Sequence, residues 1–360
     1  MSRRDRSNGS RSPIRFAEHP RPDHFLLHLS DTHLLPPGRR LYDSLTPHRT
    51  LKRIFADLEE AGTRPEALVF TGDLADTGDP EAYEMLRRIV EPAAERLGAQ
   101  VIWCMGNHDD RAAFRRGLFG QVGNSRPVDR VYDVNGLRVI TIDTSVPGHH
   151  WGVVTGPQLD WLAEELASPA PHGTILAMHH PPLPTIQDLA ALVELREQRE
   201  LAEVLQGTDV CSILAGHLHY STAGTFAGIP VSVASATCYT QDLTASPRAT
   251  RPQDGAQSYN LVHVWGDTVL HSVVPAAASR TLSATSAEES DRILAEHNVA
   301  ILPPERPLLP AARHRRDAVD AELEALTQPI PVLPPASRRP DAIDRELESL
   351  TAPIILPRRD

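Results

Sequence analysis

Hydrophobic runs and helical stripes alternate along the first two hundred residues. Phe25-Leu26-Leu27-His28-Leu29, Ala67-Leu68-Val69-Phe70, Val101-Ile102-Trp103-Cys104, Ile175-Leu176-Ala177-Met178 and Ser212-Ile213-Leu214 are short, nearly continuous apolar runs of the kind that buried strands carry. Between them the period changes to that of a helix. Pro47 opens a segment in which Leu51, Ile54, Phe55 and Leu58 recur at i, i+3, i+4 and i+7, and Gly62 closes it. Pro80 opens another through Tyr83, Leu86 and Ile89, which Pro92 is expected to kink or end. Gly156-Pro157 opens a third through Leu159, Leu162 and Leu166. Helical segments between buried strands predict an α/β fold, a sheet covered by helices. From about Gly224 only strands follow: Ile229 to Ala234, Tyr259 to Trp265, and Thr268 to Val274 after a Gly266-Asp267 turn. These predict a second sheet.

The pattern stops after Val274. Residues 276–360 hold eleven prolines, no glycine and no Phe, Trp or Tyr, a composition that cannot build a core of its own. Within them Asp317–Thr327 recurs as Asp341–Thr351, 24 residues on. Val319, Leu323 and Leu326 form one narrow apolar stripe, and Ile343, Leu347 and Leu350 repeat it. Such short helices are marginal alone. Two readings stay open: an unstructured spacer, or a duplicated peptide that docks on a protein partner. At the other end, Arg3, Arg4, Arg6, Arg11 and Arg15 are followed by no apolar stretch, so a disordered basic leader is expected rather than a signal peptide. The expected organisation is a leader over 1–22, a catalytic domain over 23–275 and a largely disordered Pro-rich tail over 276–360.

Charge and cysteine content narrow the class. A net charge of −11 disfavours a nucleic-acid binder. Three cysteines without a C-x-x-C spacing argue against a disulfide framework and for a reducing compartment. No run is long enough to span a membrane. A cytoplasmic protein is expected, with peripheral attachment at the cell envelope through the tail as a second option. A homodimer is an open option.

The chemistry sits just past the apolar runs. Asp31-Thr32-His33, Gly72-Asp73, Gly106-Asn107-His108-Asp109, His179-His180-Pro181-Pro182 and Gly216-His217-Leu218-His219 follow the five runs in order. Open α/β sheets place their sites beyond strand C-termini. Each motif alone is weak; together they supply Asp31, His33, Asp73, Asn107, His179, His217 and His219, all oxygen or imidazole donors. In an extended segment, residues i and i+2 point the same way, so Asp31 pairs with His33 and His217 with His219. This donor set suits two divalent ions roughly 3.5–4 Å apart, which can clamp a phosphate and activate a water between them. Asp73 is the natural bridge. Asp31, His33 and His219 can serve one ion, and Asn107, His179 and His217 the other. Manganese or iron is expected, with zinc as an alternative. Neutral ligands leave the site positive, as a phosphodiester anion requires.

These motifs resemble the signature of the calcineurin-like metallophosphoesterase superfamily: D-x-H, GD, GNH[DE], a histidine after a strand, and GH-x-H. Leu29–Leu34, Phe70–Asp76, Met105–Asp110, Asp143–His150, Ala215–Thr222 and Ser232–Tyr239 resemble more closely its class III cyclic nucleotide phosphodiesterases. The likeness runs from about residue 18 to about residue 275. It implies a four-layer α/β/β/α sandwich of two mixed sheets flanked by helices, and hydrolysis of 3′,5′-cyclic nucleotides to nucleoside monophosphates. It also implies that His108 is no ligand but a catalytic group that reaches the phosphate and protonates the leaving oxygen, alongside Asn107. His33, Asp73, Asn107, His108 and His219 would surround the substrate. His179 rather than His180 would bind metal, Asp109 would orient a neighbour, and His149 and His150 either line the substrate mouth or lie on a solvated loop. Purple acid phosphatases carry a tyrosine three residues after the bridging aspartate; Asp76 stands there instead. A broader diesterase acting on 2′,3′-cyclic nucleotides or glycerophosphodiesters is the alternative enzyme. A scaffold acting through its tail is the non-enzymatic one.

Overall fold

The computed structural model describes residues 14–305 apart from Pro247; the two tail repeats and most of the basic leader lie outside these residues. Eleven strands form two mixed sheets. The first comprises β1 (His24–Leu29), β2 (Ala67–Thr71), β3 (Gln100–Cys104), β10 (Ser258–Val264) and β11 (Val269–Pro275), in the order β11-β10-β1-β2-β3. The second comprises β4 (Arg130–Val134), β5 (Leu137–Ile142), β6 (Thr174–Met178), β7 (Val210–Ala215), β8 (Thr222–Phe226) and β9 (Ile229–Val233), in the order β4-β5-β6-β7-β9-β8. In each sheet the central strands β1–β2–β3 and β5–β6–β7–β9 run parallel, and the outer pairings are antiparallel.

Strand alternation explains the layering. In β1, Leu27 and Leu29 pack with Leu51, Ile54 and Phe55 of α1 (Pro47–Glu60) and with Tyr83 and Leu86 of α2 (Pro80–Leu97). Leu26, just before them in the strand, faces the other way and meets Val139 and Ile175 of the second sheet. On the far side, Ile140, Leu176 and Ile213 pack with Leu159 and Leu162 of α4 (Gly156–Leu166) and Leu201 of α5 (Gln198–Leu205). A short α3 (Arg111–Phe114) continues into a π-helical turn, Arg115–Phe119. The result is helices, sheet, sheet, helices.

The structure corrects two expectations. Pro92 neither ends nor breaks α2, which runs on to Leu97 and closes at the left-handed Gly98. Pro92 and Arg88 are both exposed, so the carbonyl that loses its helical partner faces water. The late strands do not make a sheet of their own. Instead β8 and β9 complete the second sheet, while β10 and β11 extend the first. Residues before 22 and after 275 pair with one another and with the β10–β11 turn of the first sheet. Arg15–Phe16 pairs in parallel with Val299–Ala300, Arg21 N donates to Leu302 O at 2.9 Å, and Trp265 Nε1 donates to Pro20 O at 2.9 Å. Backbone pairing needs no core, and α6 (Ala287–Glu296), capped by Ser286, buries no side chain. This clasp lies at the end of β1 opposite the site described next. Truncation after residue 280 should therefore lower Tm by no more than roughly 5 °C and leave kcat unchanged, as melting and turnover measurements on the shortened chain will show.

Candidate metal centre

The five motif segments converge where the parallel strands of both sheets end. Asp31 and His33 follow β1, Asp73 follows β2, Asn107 and His108 follow β3, His179 follows β6, and His217 and His219 follow β7. Asp31, His33, Asp73, His179 and His219 are buried, whereas Asn107, His108 and His217 are half-buried at the mouth.

The local backbone is not the extended one that the i, i+2 spacing suggested. Asp31 has φ 51°, His33 39°, Asp73 50°, His217 71° and His219 56°. These are left-handed conformations, uncommon outside glycine. The turning chain, rather than strand alternation, brings each pair to one side. Backbone bonds hold it there: Asp31 N donates to Gly72 O at 3.1 Å, and His33 N to Asp73 O at 2.9 Å. Two motif glycines are fixed by contact. A Cβ on Gly106 would lie 2.2 Å from Asp73 Oδ1, and one on Gly216 would lie 1.9 Å from Ser30 Oγ and 2.6 Å from Asp31 Oδ2. Gly106→Ala should thus push Asp73 out of place, and elemental analysis of the purified variant should find bound metal and turnover lost together.

Each of the four candidate ligand histidines spends one ring nitrogen on an acceptor that cannot donate. His33 Nδ1 bonds Asp76 Oδ1 at 3.0 Å, and His179 Nδ1 bonds Thr71 O at 2.7 Å. His217 Nε2 bonds Val193 O at 2.9 Å, and His219 Nδ1 bonds Tyr239 O at 3.0 Å. Those nitrogens carry the protons, so the other nitrogen of each ring offers its lone pair inward, the arrangement that orients metal-binding histidines. The inward nitrogens meet in pairs. His33 Nε2 lies 3.2 Å from His219 Nε2, and His179 Nε2 lies 3.2 Å from His217 Nδ1. Two lone pairs at that distance repel unless a cation sits between them.

The oxygens complete two groups. Asp31 Oδ1 is 3.2 Å from His219 Nε2, and Asn107 Oδ1 is 3.1 Å from His179 Nε2. Asp73 Oδ2 lies 3.4 Å from His33 Nε2 and 3.2 Å from His179 Nε2, so this one carboxylate touches both groups. Asp31 and Asp73 are buried with no lysine or arginine against them among the described residues. Burial, the largest single influence, favours the neutral form of Asp73, but the charges of His179 and His108 and the hydrogen bonds of His179 and His33 together outweigh it and hold the carboxyl well below its usual range. Conversely, burial would lower His179 and His219, yet Asp73 and Asp31 beside them raise these imidazoles to about 9 and about 10. The donor set therefore fits two metal ions.

Neighbouring groups take supporting places. His180 has both nitrogens engaged, Nδ1 with Thr144 Oγ1 at 2.7 Å and Nε2 with His150 O at 3.0 Å, which leaves none for a metal. Asp109 accepts from the backbone of Leu74, Ala75 and Gly106 and from Tyr83 OH, joining the Asp73 and Asn107 loops. Burial and the charge of Asp73 push its carboxyl up to about 6. His108 donates its backbone N–H to Asp73 Oδ1 at 2.9 Å and its Nδ1–H to Asp76 O at 2.7 Å; among the described residues its Nε2 has no hydrogen-bond partner. Burial lowers the pKa of His108, against the charge of Asp73. Sequence reasoning missed the carbonyls of Thr71, Val193 and Tyr239, since a backbone acceptor leaves no residue signature. It also noted Asp76 only for the tyrosine it replaces; the structure places its carboxylate on His33.

A family model described as calcineurin-like phosphoesterase matches residues 26–221. The chain is 58% identical over 294 residues to a probable cyclic nucleotide phosphodiesterase of Rhodococcus erythropolis, covering 81% of this chain and 97% of that one. It is 56% identical over 294 residues to a cAMP/cGMP dual specificity phosphodiesterase of Mycobacterium tuberculosis, covering 81% of this chain and 92% of that one. In fold it is similar to a dimetal phosphatase from Danio rerio, with a TM-score of 0.51 at 12% identity over 71% of this chain and 97% of that one. With its motif order, its sandwich and a family match that spans more than half its length, the chain belongs to the calcineurin-like phosphoesterase family.

Proposed function

We propose that the chain is a metal-dependent phosphodiesterase that hydrolyses 3′,5′-cyclic nucleotides to nucleoside monophosphates. The observation that carries the reading is the pair of donor groups joined by Asp73 Oδ2, with His108 beside them. Asp31, His33 and His219 would hold one ion and Asn107, His179 and His217 the other, with Asp73 shared; manganese and iron suit such donors, and zinc is the alternative. When bound, the metal pair supplies Lewis-acid polarisation of the phosphoryl group and activates water for attack.

The chain's own residues do the rest. The half-buried mouth at Asn107, His108 and His217 admits the phosphate, and His33, Asp73 and His219 line its floor. Asp76 O fixes Nδ1–H of His108, which turns Nε2 to the substrate side. The negative charges of the phosphodiester and of Asp73 favour the imidazolium. Its Nε2–H then passes a proton to the ribose oxygen that leaves phosphorus. The cyclic nucleotide substrate is supported by the names of the two relatives, each covered almost end to end.

A manganese-loaded enzyme assayed on 3′,5′-cyclic AMP, 2′,3′-cyclic AMP, bis-p-nitrophenyl phosphate and a monoester tests the reading. The highest kcat/KM is expected on 3′,5′-cyclic AMP; a preference for the 2′,3′ isomer would replace it with the broader diesterase. Iron-loaded protein should also lack an intense visible charge-transfer band. Asp76 stands on His33, and the hydroxyl of Tyr239 bonds Tyr42, so no phenolate is offered as a ligand. A purple protein would contradict this coordination. No helix of the described residues is long and apolar enough to cross a membrane.

A further inference from the structure

We infer that His150 is a positioning residue that sets the amide orientation of Asn107, and that His180 holds His150 in place to do so. This rests on the proposed role of Asn107 as a metal ligand. An asparagine amide can ligate a cation through Oδ1 but not through Nδ2, which only donates. Its two orientations are nearly alike in shape, so a neighbour must choose between them.

That neighbour is His150. Asn107 Nδ2 lies 3.0 Å from His150 Nδ1, while Oδ1 lies 3.1 Å from the inward Nε2 of His179. Because the amide nitrogen donates, His150 Nδ1 accepts, and its ring proton is on Nε2. Turning the amide over would set Oδ1 against the lone pair of His150 Nδ1. It would also aim an N–H where the cation belongs. Both errors arise from one rotation, so a single acceptor fixes the geometry.

His150 is itself anchored. It lies on the loop between β5 and α4, which turns sharply where His149 N donates to Val146 O at 2.9 Å. His180 Nε2–H donates to the carbonyl of His150 at 3.0 Å, and His180 Nδ1 bonds Thr144 Oγ1 at 2.7 Å near the start of the same loop. A Cβ on Gly152 would lie 2.5 Å from His180 Nδ1, so that glycine makes room for the ring. The second histidine of the His179-His180 pair thereby serves the site through the loop.

Equilibrium dialysis of the full-length chain with Mn²⁺, alongside melting curves, tests the inference. His150→Ala should weaken the second Mn²⁺ equivalent by roughly 10- to 100-fold and spare the first. His150→Asn places an acceptor oxygen near the position of Nδ1 and should restore most of the loss. In an Asn107→Asp background, where the carboxylate has no wrong orientation, His150→Ala should cost little. If His150→Ala binds both equivalents as the unaltered chain does, the inference falls. It also falls if the loss is equal with and without the Asn107→Asp change, or if His150→Asn gives no rescue, because His150 then only packs the loop. If the unaltered chain binds fewer than two equivalents, the two-metal reading falls with it.

Discussion

Asp73→Asn should abolish both metal binding and turnover in a protein that still folds. The substitution keeps the shape of the side chain and removes the charge and one oxygen. Asp73 Oδ2 is the atom that lies within 3.4 Å of a histidine nitrogen in each donor group, and Oδ1 accepts the backbone N–H of His108. An amide cannot bridge two cations and also accept that bond. Loss of kcat by roughly 10³-fold or more is expected, as for removal of a central electrostatic group from an active site. Elemental analysis should show less than one equivalent of metal. A variant that kept two equivalents and near-normal turnover would remove Asp73 from the bridge. Asn107→Ala, by contrast, should weaken one equivalent and keep the other.

The second large effect is selective. His108→Ala should reduce kcat on 3′,5′-cyclic AMP by roughly 10²–10⁴-fold, the range for loss of a general acid. On bis-p-nitrophenyl phosphate the loss should be far smaller, because nitrophenolate leaves without a proton. The geometry behind this is the Nδ1–H bond to Asp76 O at 2.7 Å, which leaves Nε2 as the nitrogen that can serve the substrate. Equal losses on both substrates would mean that His108 only holds the phosphate.

Much of this was legible in the sequence, and the limits have physical causes. The seven candidate ligands could be read because they follow buried apolar runs, and strand ends are where side chains of different strands converge. The helices could be read from Leu51, Ile54, Phe55 and Leu58 and their counterparts. The β4–β5 hairpin was overlooked, although Asn135-Gly136 carries the signal: both residues have positive φ, as a two-residue hairpin turn requires. Which sheet a late strand joins was not legible, since β9 and β10 both carry buried apolar residues and their distant partners decide the sheet. The pairing of Arg15–Phe16 with Val299–Ala300 was hidden for a similar reason: it is made by backbone groups that every residue carries.

The donor groups also straddle the two sheets. The first group takes Asp31, His33 and Asp73 from loops of the first sheet and His219 from the second, while the other takes Asn107 from the first and His179 and His217 from the second. Every ion would then be a rivet through the seam between the layers. Such a rivet shifts the folding equilibrium by mass action, by about 2.7 kcal/mol for one site when free metal is a hundredfold above its Kd. Dialysis against a chelator should therefore lower Tm and speed amide exchange along β6 and β7 first. The thermal midpoint should rise steadily with Mn²⁺, so metal supply in the cell would govern how long the protein survives as well as how fast it works.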